Sequence, residues 1–236
     1  MTTSPPVPAA PAPVPAVRRA PLSLIGSTVD KHISRLQRGY LDDRSDAVAT
    51  LARLRRGVGR SAGATPDLWG LTGTEPLYAA HESGALTEEA LRWADEAAHA
   101  AVTLWALHQQ AHHTARMHRR HGLELGTAVR RLHPGTEIDE PTRKRFVRAG
   151  TATTPAVLAG RLRDLVLLLR RDDIPLDYGL LADQLYGWQQ PGGPQRIRRS
   201  WGRSYQFAHR TADTATPDAT DRPDDTDGTT PEDDTP

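Results

Sequence analysis

The chain contains no cysteine. That excludes disulfides, thiolate nucleophiles and cysteine metal ligands, and it suits a protein of the cytoplasm. Aromatic residues make up only 5% and hydrophobic residues 37%, below the usual share for a globular domain. No apolar run approaches the roughly 18 residues needed to cross a bilayer. The N-terminus lacks a charged start followed by a continuous apolar stretch, so no signal peptide is expected. There is no G-x-S-x-G, and Ser34 and Ser83 have no triad-like surroundings. Gly57-Val58-Gly59 follows a helix-patterned segment and lacks the preceding strand of a dinucleotide fingerprint. Asp42-Asp43 and Asp172-Asp173 flank helical segments, where turns and caps explain them. No catalytic constellation emerges, so the chain is not expected to be an enzyme or to need a cofactor.

Charge is present in quantity but unevenly placed. The net charge is +1, yet residues 110–210 carry 18 Lys and Arg against nine Asp and Glu. Residues 21–109 carry nine against 11, and residues 211–236 carry one arginine against nine acids. A basic half within a near-neutral chain is the footprint of an anionic partner, most often nucleic acid.

Composition divides the chain into four parts. Residues 1–21 form a Pro/Ala-rich tract expected to be disordered. Residues 22–121 are expected to form an N-terminal helical subdomain and residues 122–209 a C-terminal basic one. Residues 210–236 form an acidic, apolar-poor tail, also expected to be disordered. The fold class is all-α: two small helical bundles in one elongated subunit. Helical spacing covers Val29–Tyr40 and Arg44–Arg56, while Pro and Gly between Gly57 and Gly84 predict irregular structure anchored by Leu68, Trp69 and Tyr78. Thr87 is the expected N-cap of a helix running past His108 and burying Leu91, Ala98, Val102 and Trp105. Further helices are expected at Leu123–Leu132, Asp139–Ala149, from the Thr154-Pro155 start for about four turns, from Pro175 to Tyr186, and in the last basic stretch.

Two groups of residues carry candidate chemistry. "HQQAHHTARMHRRH" places His108 and His112 one turn apart, with His113, His118 and His121 nearby. That spacing is compatible with a shared metal. The segment has no acidic ligand and holds three arginines, so a surface-exposed, turn-like helix end with polar histidines is expected, and no metal. The second group is basic. Arg143, Lys144, Arg145 and Arg148 place four cations within six residues, which repel unless neutralised, and a phosphate backbone neutralises them well. Arg170-Arg171 ends a helix, where the macrodipole already favours cations. In "QPGGPQRIRRSWGRSYQF", roughly 100° per residue puts Ile197, Trp201, Tyr205 and Ala208 on one face. Arg196, Arg199, Arg203 and Arg210 fall on the opposite face, with Phe207 beside them and Arg198 off the stripe. Trp201 and Tyr205 are therefore expected to anchor the helix to the core rather than to stack on bases.

The stretch "IPLDYGLLADQLYGWQQPGGPQRIRRSWGRSYQF" resembles the C-terminal end of the CasB-type small subunit of the type I-E CRISPR effector complex, Cascade. "ALHQQ", "MHR", "LGTAVRRL" and "TRKRFVRA" match family segments in order and spacing. The resemblance covers roughly residues 30–209. Two positions depart from the family pattern, Thr127 and Ser200, where a basic residue is usual. The resemblance implies a non-catalytic, all-helical subunit that pairs with a second copy in Cascade. Its implied partners are the backbone and large subunits, guide RNA, and target and non-target DNA, and its implied task is to stabilise the R-loop. Carried over by position, the backbone contacts are Arg143, Lys144, Arg145, Arg148, Arg163, Arg196, Arg199 and Arg203. Two other readings of the residues stay open: a sequence-specific helical DNA-binding regulator and a histidine-metal hydrolase.

Overall fold

A computed structural model describes residues 20–133 and 139–213, with side chains as far as residue 208. Most of both tails, whose disorder the sequence predicts, therefore lies outside the described residues. Nine α-helices form the described part: α1 Leu24–Leu41, α2 Ser45–Leu54, α3 Glu75–Glu82, α4 Glu88–Gln109, α5 Leu125–Arg131, α6 Glu140–Gly150, α7 Pro155–Arg171, α8 Tyr178–Gln189 and α9 Gly193–Asp213. Three short 3-10 turns lie between α2 and α3. No strand occurs among the described residues; His118 and Leu176 form one isolated parallel bridge.

Side-chain caps start most of the longer helices, as the sequence predicts for two of them. Thr87 accepts from the Ala90 N–H at 3.2 Å and Thr154 from the Val157 N–H at 3.3 Å. Asp139 and Asp177 cap α6 and α8 in the same way. Each such cap contributes on the order of 1 kcal/mol by satisfying a donor that the helix itself cannot. Helix α8 begins at Tyr178 rather than Pro175. The backbone at Leu176 instead pairs with Met117 and Arg119, and Asp177 is the residue placed to cap.

The core forms around α4. Its Ala94, Ala97, Ala98, Ala101, Val102 and Trp105 are at most 1% exposed. Small side chains on several sides of this helix let α1, α7 and α8 approach it together. One cluster of buried apolar residues runs from Ile25 and Val29 through α4 to Val129, Phe146, Leu162, Leu181 and Trp201.

The segment between α2 and α4 departs from expectation. Leu68 is an anchor, but Trp69 and Tyr78 stand 71% and 46% exposed, and α3 forms within the stretch predicted to be irregular. Helix α9 also continues four residues past the expected boundary, to Asp213.

Candidate nucleic-acid interface

Helix α9 is held from three sides. Towards α8, Ile197 and Trp201 are buried, and the Trp201 indole N–H donates to Gln184 Oε1 at 2.7 Å. Towards α6, the half-buried Tyr205 stacks on Phe146 with ring centroids 5.4 Å apart. Towards α5, close approach depends on Gly126, because a Cβ there would run into the Trp201 carbonyl and stand 2.8 Å from the Tyr205 nitrogen. The tryptophan and tyrosine thus anchor the helix, as the spacing predicts.

What remains outside is a stripe of arginines. Arg196, Arg199 and Arg203 are all exposed. Arg199 and Arg203 share a shallow surface depression with Gly202, Gln206 and Phe207, the last of these 56% exposed. Arg196 is partly committed, donating to the Gly187 carbonyl at 3.0 Å and to Gln190 Oε1 at 3.3 Å across the α8–α9 turn. A guanidinium has five N–H donors, so those not used in the turn stay available. Of Arg210 only the backbone is described.

Helix α6 packs between α7 and α9 through Thr142, Phe146, Ala149 and Gly150 and exposes Arg143, Lys144, Arg145 and Arg148. Arg143 is paired within its own helix, making bonds of 2.7 and 2.8 Å to the Glu140 carboxylate. That pair holds the Glu140 carboxyl below its ordinary range. Thr142 and its N–H do the same for Asp139, with smaller help from His133 and Arg145. Lys144, Arg148, Arg163, Arg199 and Arg203 make no side-chain ion pair among the described residues. Arg163 is exposed on α7. Its neighbour Arg161 donates to the Arg148 carbonyl and serves the end of α6 instead.

One exposed arginine was not assigned from the sequence. Arg198 lies off the α9 stripe and beside Gly150, where it adds a cation without an ion pair among the described residues at the α6–α9 junction. Its helical angle, close to that of Tyr205, was the available signal, because Tyr205 is the residue that meets α6. The two departures from the family pattern are used internally. Thr127 donates its hydroxyl to the Ser204 carbonyl at 3.2 Å, and Ser200 donates to Glu124 at 3.0 Å. Glu124 also accepts from Gln184 at 2.9 Å, which closes a polar network from α5 across α8 to Trp201.

Of the five histidines in this stretch, His113 and His121 are exposed as expected and His112 is half-buried, whereas His108 and His118 depart from the expected setting. His108 is fully buried, 2.9 Å from the Tyr178 hydroxyl, and burial pushes its imidazole down to about 3. His118 is 2% exposed. Its Nδ1 accepts from the Tyr178 N–H at 3.2 Å, so Nε2 carries the proton donated to Asp30 at 3.0 Å. The same bond, with smaller contributions from nearby cations, holds the Asp30 carboxyl below its ordinary range. Gln37 completes this junction by bonding both the N–H and the carbonyl of His118. Among the described residues no group of three or more His, Asp or Glu side chains is placed to hold a metal ion. Nor is any described helix long and apolar enough to cross a membrane.

Residues 50–205 match the family profile of CRISPR-associated protein Cse2. The crystal structure of CasB from Thermobifida fusca is 52% identical, with a TM-score of 0.71, over 78% of this chain and 99% of that one. The crystal structure of M. ruber CasB is 23% identical, with a TM-score of 0.53, over 79% of this chain and 97% of that one. A chain of a CRISPR RNA-guided surveillance complex is 21% identical, with a TM-score of 0.57, over 80% of this chain and 98% of that one. At those identities the last two likenesses concern the fold. No curated protein sequence matches.

Proposed function

The chain belongs to the CRISPR-associated Cse2 family, and from that premise we propose that it is the non-catalytic small subunit of a type I-E Cascade effector. In this reading it binds the nucleic-acid backbone without sequence preference and stabilises both the guide RNA–target DNA duplex and the displaced strand. Its partners are the Cascade backbone and large subunits and a second copy of itself.

The observation that carries the reading is the set of exposed cations on α6, α7 and α9 that have no acidic partner among the described residues: Lys144, Arg148, Arg163, Arg199 and Arg203. Arg143, Arg145 and Arg196 flank them. Packed cations repel one another in the free protein, and phosphates relieve that repulsion while releasing counterions. Phosphate contacts position a nucleic acid without reading it. R-loop formation exchanges one duplex for another of similar stability, so a modest number of backbone contacts tips the balance. A subunit that grips backbone and ignores sequence fits that requirement.

Affinity purification of the full chain from its host tests the class. Recovery with a guide RNA and helical backbone subunits supports the reading. Recovery without RNA, or enrichment of one operator sequence in a selection for bound DNA, would favour the regulator instead.

A further inference from the structure

The segment between α2 and α4 borders a cavity of about 610 Å³. Its lining includes Trp69, Tyr78, Glu75, Glu82, Asp95 and His99, and no lysine or arginine. Trp69 is 71% exposed and Tyr78 46% exposed, although aromatic residues are scarce in this chain. Large aromatic surface left to water marks a place that another molecule covers. None of the three carboxylates forms an ion pair among the described residues. Asp95 is half-buried, and burial raises its carboxyl above the ordinary range, only partly offset by His99 and the Thr74 and Tyr78 hydroxyls. Beneath them His99 is 2% exposed, and its Nε2 has no hydrogen-bond partner. Burial favours the neutral ring, partly offset by hydrogen bonds to the Gly57 and Arg60 carbonyls and by Asp95, and the nitrogen of a neutral ring that carries no proton accepts an N–H.

Each feature asks for the same ligand. Aromatic faces attract cations, carboxylates neutralise them, and an unpaired imidazole nitrogen accepts from them. A phosphate backbone would meet three like charges here. From the meeting of two exposed aromatic rings, three carboxylates without cationic partners and a buried unpaired imidazole nitrogen, we infer that this cavity receives an arginine or lysine side chain of a different protein chain. The inference uses none of the residues assigned to nucleic acid, so it stands or falls separately from that reading.

The test places a photo-reactive aromatic at the cavity, as Trp69→p-benzoylphenylalanine in the full chain, followed by irradiation in the host's cells. The expected result is an adduct to a different protein, with an arginine or lysine adjoining the crosslinked residue. Adding Glu82→Lys should lower its yield at least about tenfold by like-charge repulsion. That substitution sets a cation in the last turn of α3, which the helix dipole favours, so the fold is kept and circular dichroism checks it. No adduct, an adduct to nucleic acid or to a second copy of the chain, or a protein adduct unchanged by Glu82→Lys would each overturn the inference. Guide RNA recovered from the same cells reports on the nucleic-acid reading independently.

Discussion

Gly126 of α5 lies directly against the main chain of Trp201 on α9, with no room between them for a side chain. The helix that carries the arginine stripe is therefore seated by a glycine on another helix. Gly126→Val would force α5 and α9 apart and disturb the Thr127–Ser204 and Ser200–Glu124 bonds as well. Overpacking of this kind costs about 1–3 kcal/mol. At about 2–4 °C per kcal/mol for a chain of this size, the melting temperature should fall by roughly 2–12 °C in a thermal scan. Ser200→Ala, which removes one hydrogen bond, should cost about 1 kcal/mol.

The buried Asp30–His118 pair joins α1 to the loop before α5. Removing His118 takes a hydrogen-bond donor from the buried Asp30 carboxylate and leaves it the Arg120 guanidinium at 3.5 Å, so His118→Ala should cost about 1–3 kcal/mol. Chemical denaturation of the purified chain measures it. Removal of both partners by Asp30→Asn with His118→Gln should cost less than the single His118→Ala, because no buried charge is left and Arg120, which loses its partner, is exposed.

Acid should unfold the protein before its exposed carboxylates alone require. His108 is pushed down to about 3 in the folded chain from an ordinary 6.5. Between those values the unfolded chain binds the extra proton, so stability rises with pH there. The stabilisation is complete above about 6.5 and is lost as pH falls towards 3. One such group contributes a slope of about 1.4 kcal/mol per pH unit inside the window. Asp30 is depressed too, so its contribution is present above the ordinary carboxylate range and lost as pH falls through its lowered value. Denaturation midpoints from pH 7 to 4 should therefore decline, and His108→Gln should flatten the decline.

The acidic tail offers a test of competition for the arginine stripe. Nine acids follow Arg210, and a chain ending at Arg210 should bind single-stranded nucleic acid more tightly at low salt. Fluorescence anisotropy checks this; equal binding would leave the tail a solubilising appendage. The isolated full chain should itself bind weakly, without sequence preference, and with an affinity that falls steeply as salt rises.

The fold was largely legible because helical periodicity and caps are local signals. Thr87 and Thr154 announce helix starts from their immediate neighbours. The segregation of Trp201 and Ile197 from Arg199 and Arg203 on α9 follows from helix geometry alone. What the sequence hid depends on distant partners. Pro175 looked like a helix start, but pairing of Leu176 with Met117 and Arg119 keeps that residue in a loop. The histidines looked exposed in a basic, turn-like stretch, yet Asp30 and Tyr178 draw His118 and His108 inside. Trp69 and Tyr78 looked like anchors, since aromatic residues usually bury, and only the fold shows them lining an open cavity. Arg198 was set aside by its angle on α9, and the neighbouring α6 returns it to the basic surface.

The most direct test of the central claim is R-loop stability in the assembled effector with Arg143→Glu, Lys144→Glu and Arg145→Glu together. All three side chains are exposed on α6, so the fold and assembly should survive. Three reversed charges at a phosphate-binding surface should shorten the lifetime of the R-loop at least about tenfold at low salt, with the loss shrinking as salt rises. An R-loop of unchanged lifetime in a fully assembled complex would contradict the assignment of this surface to nucleic acid.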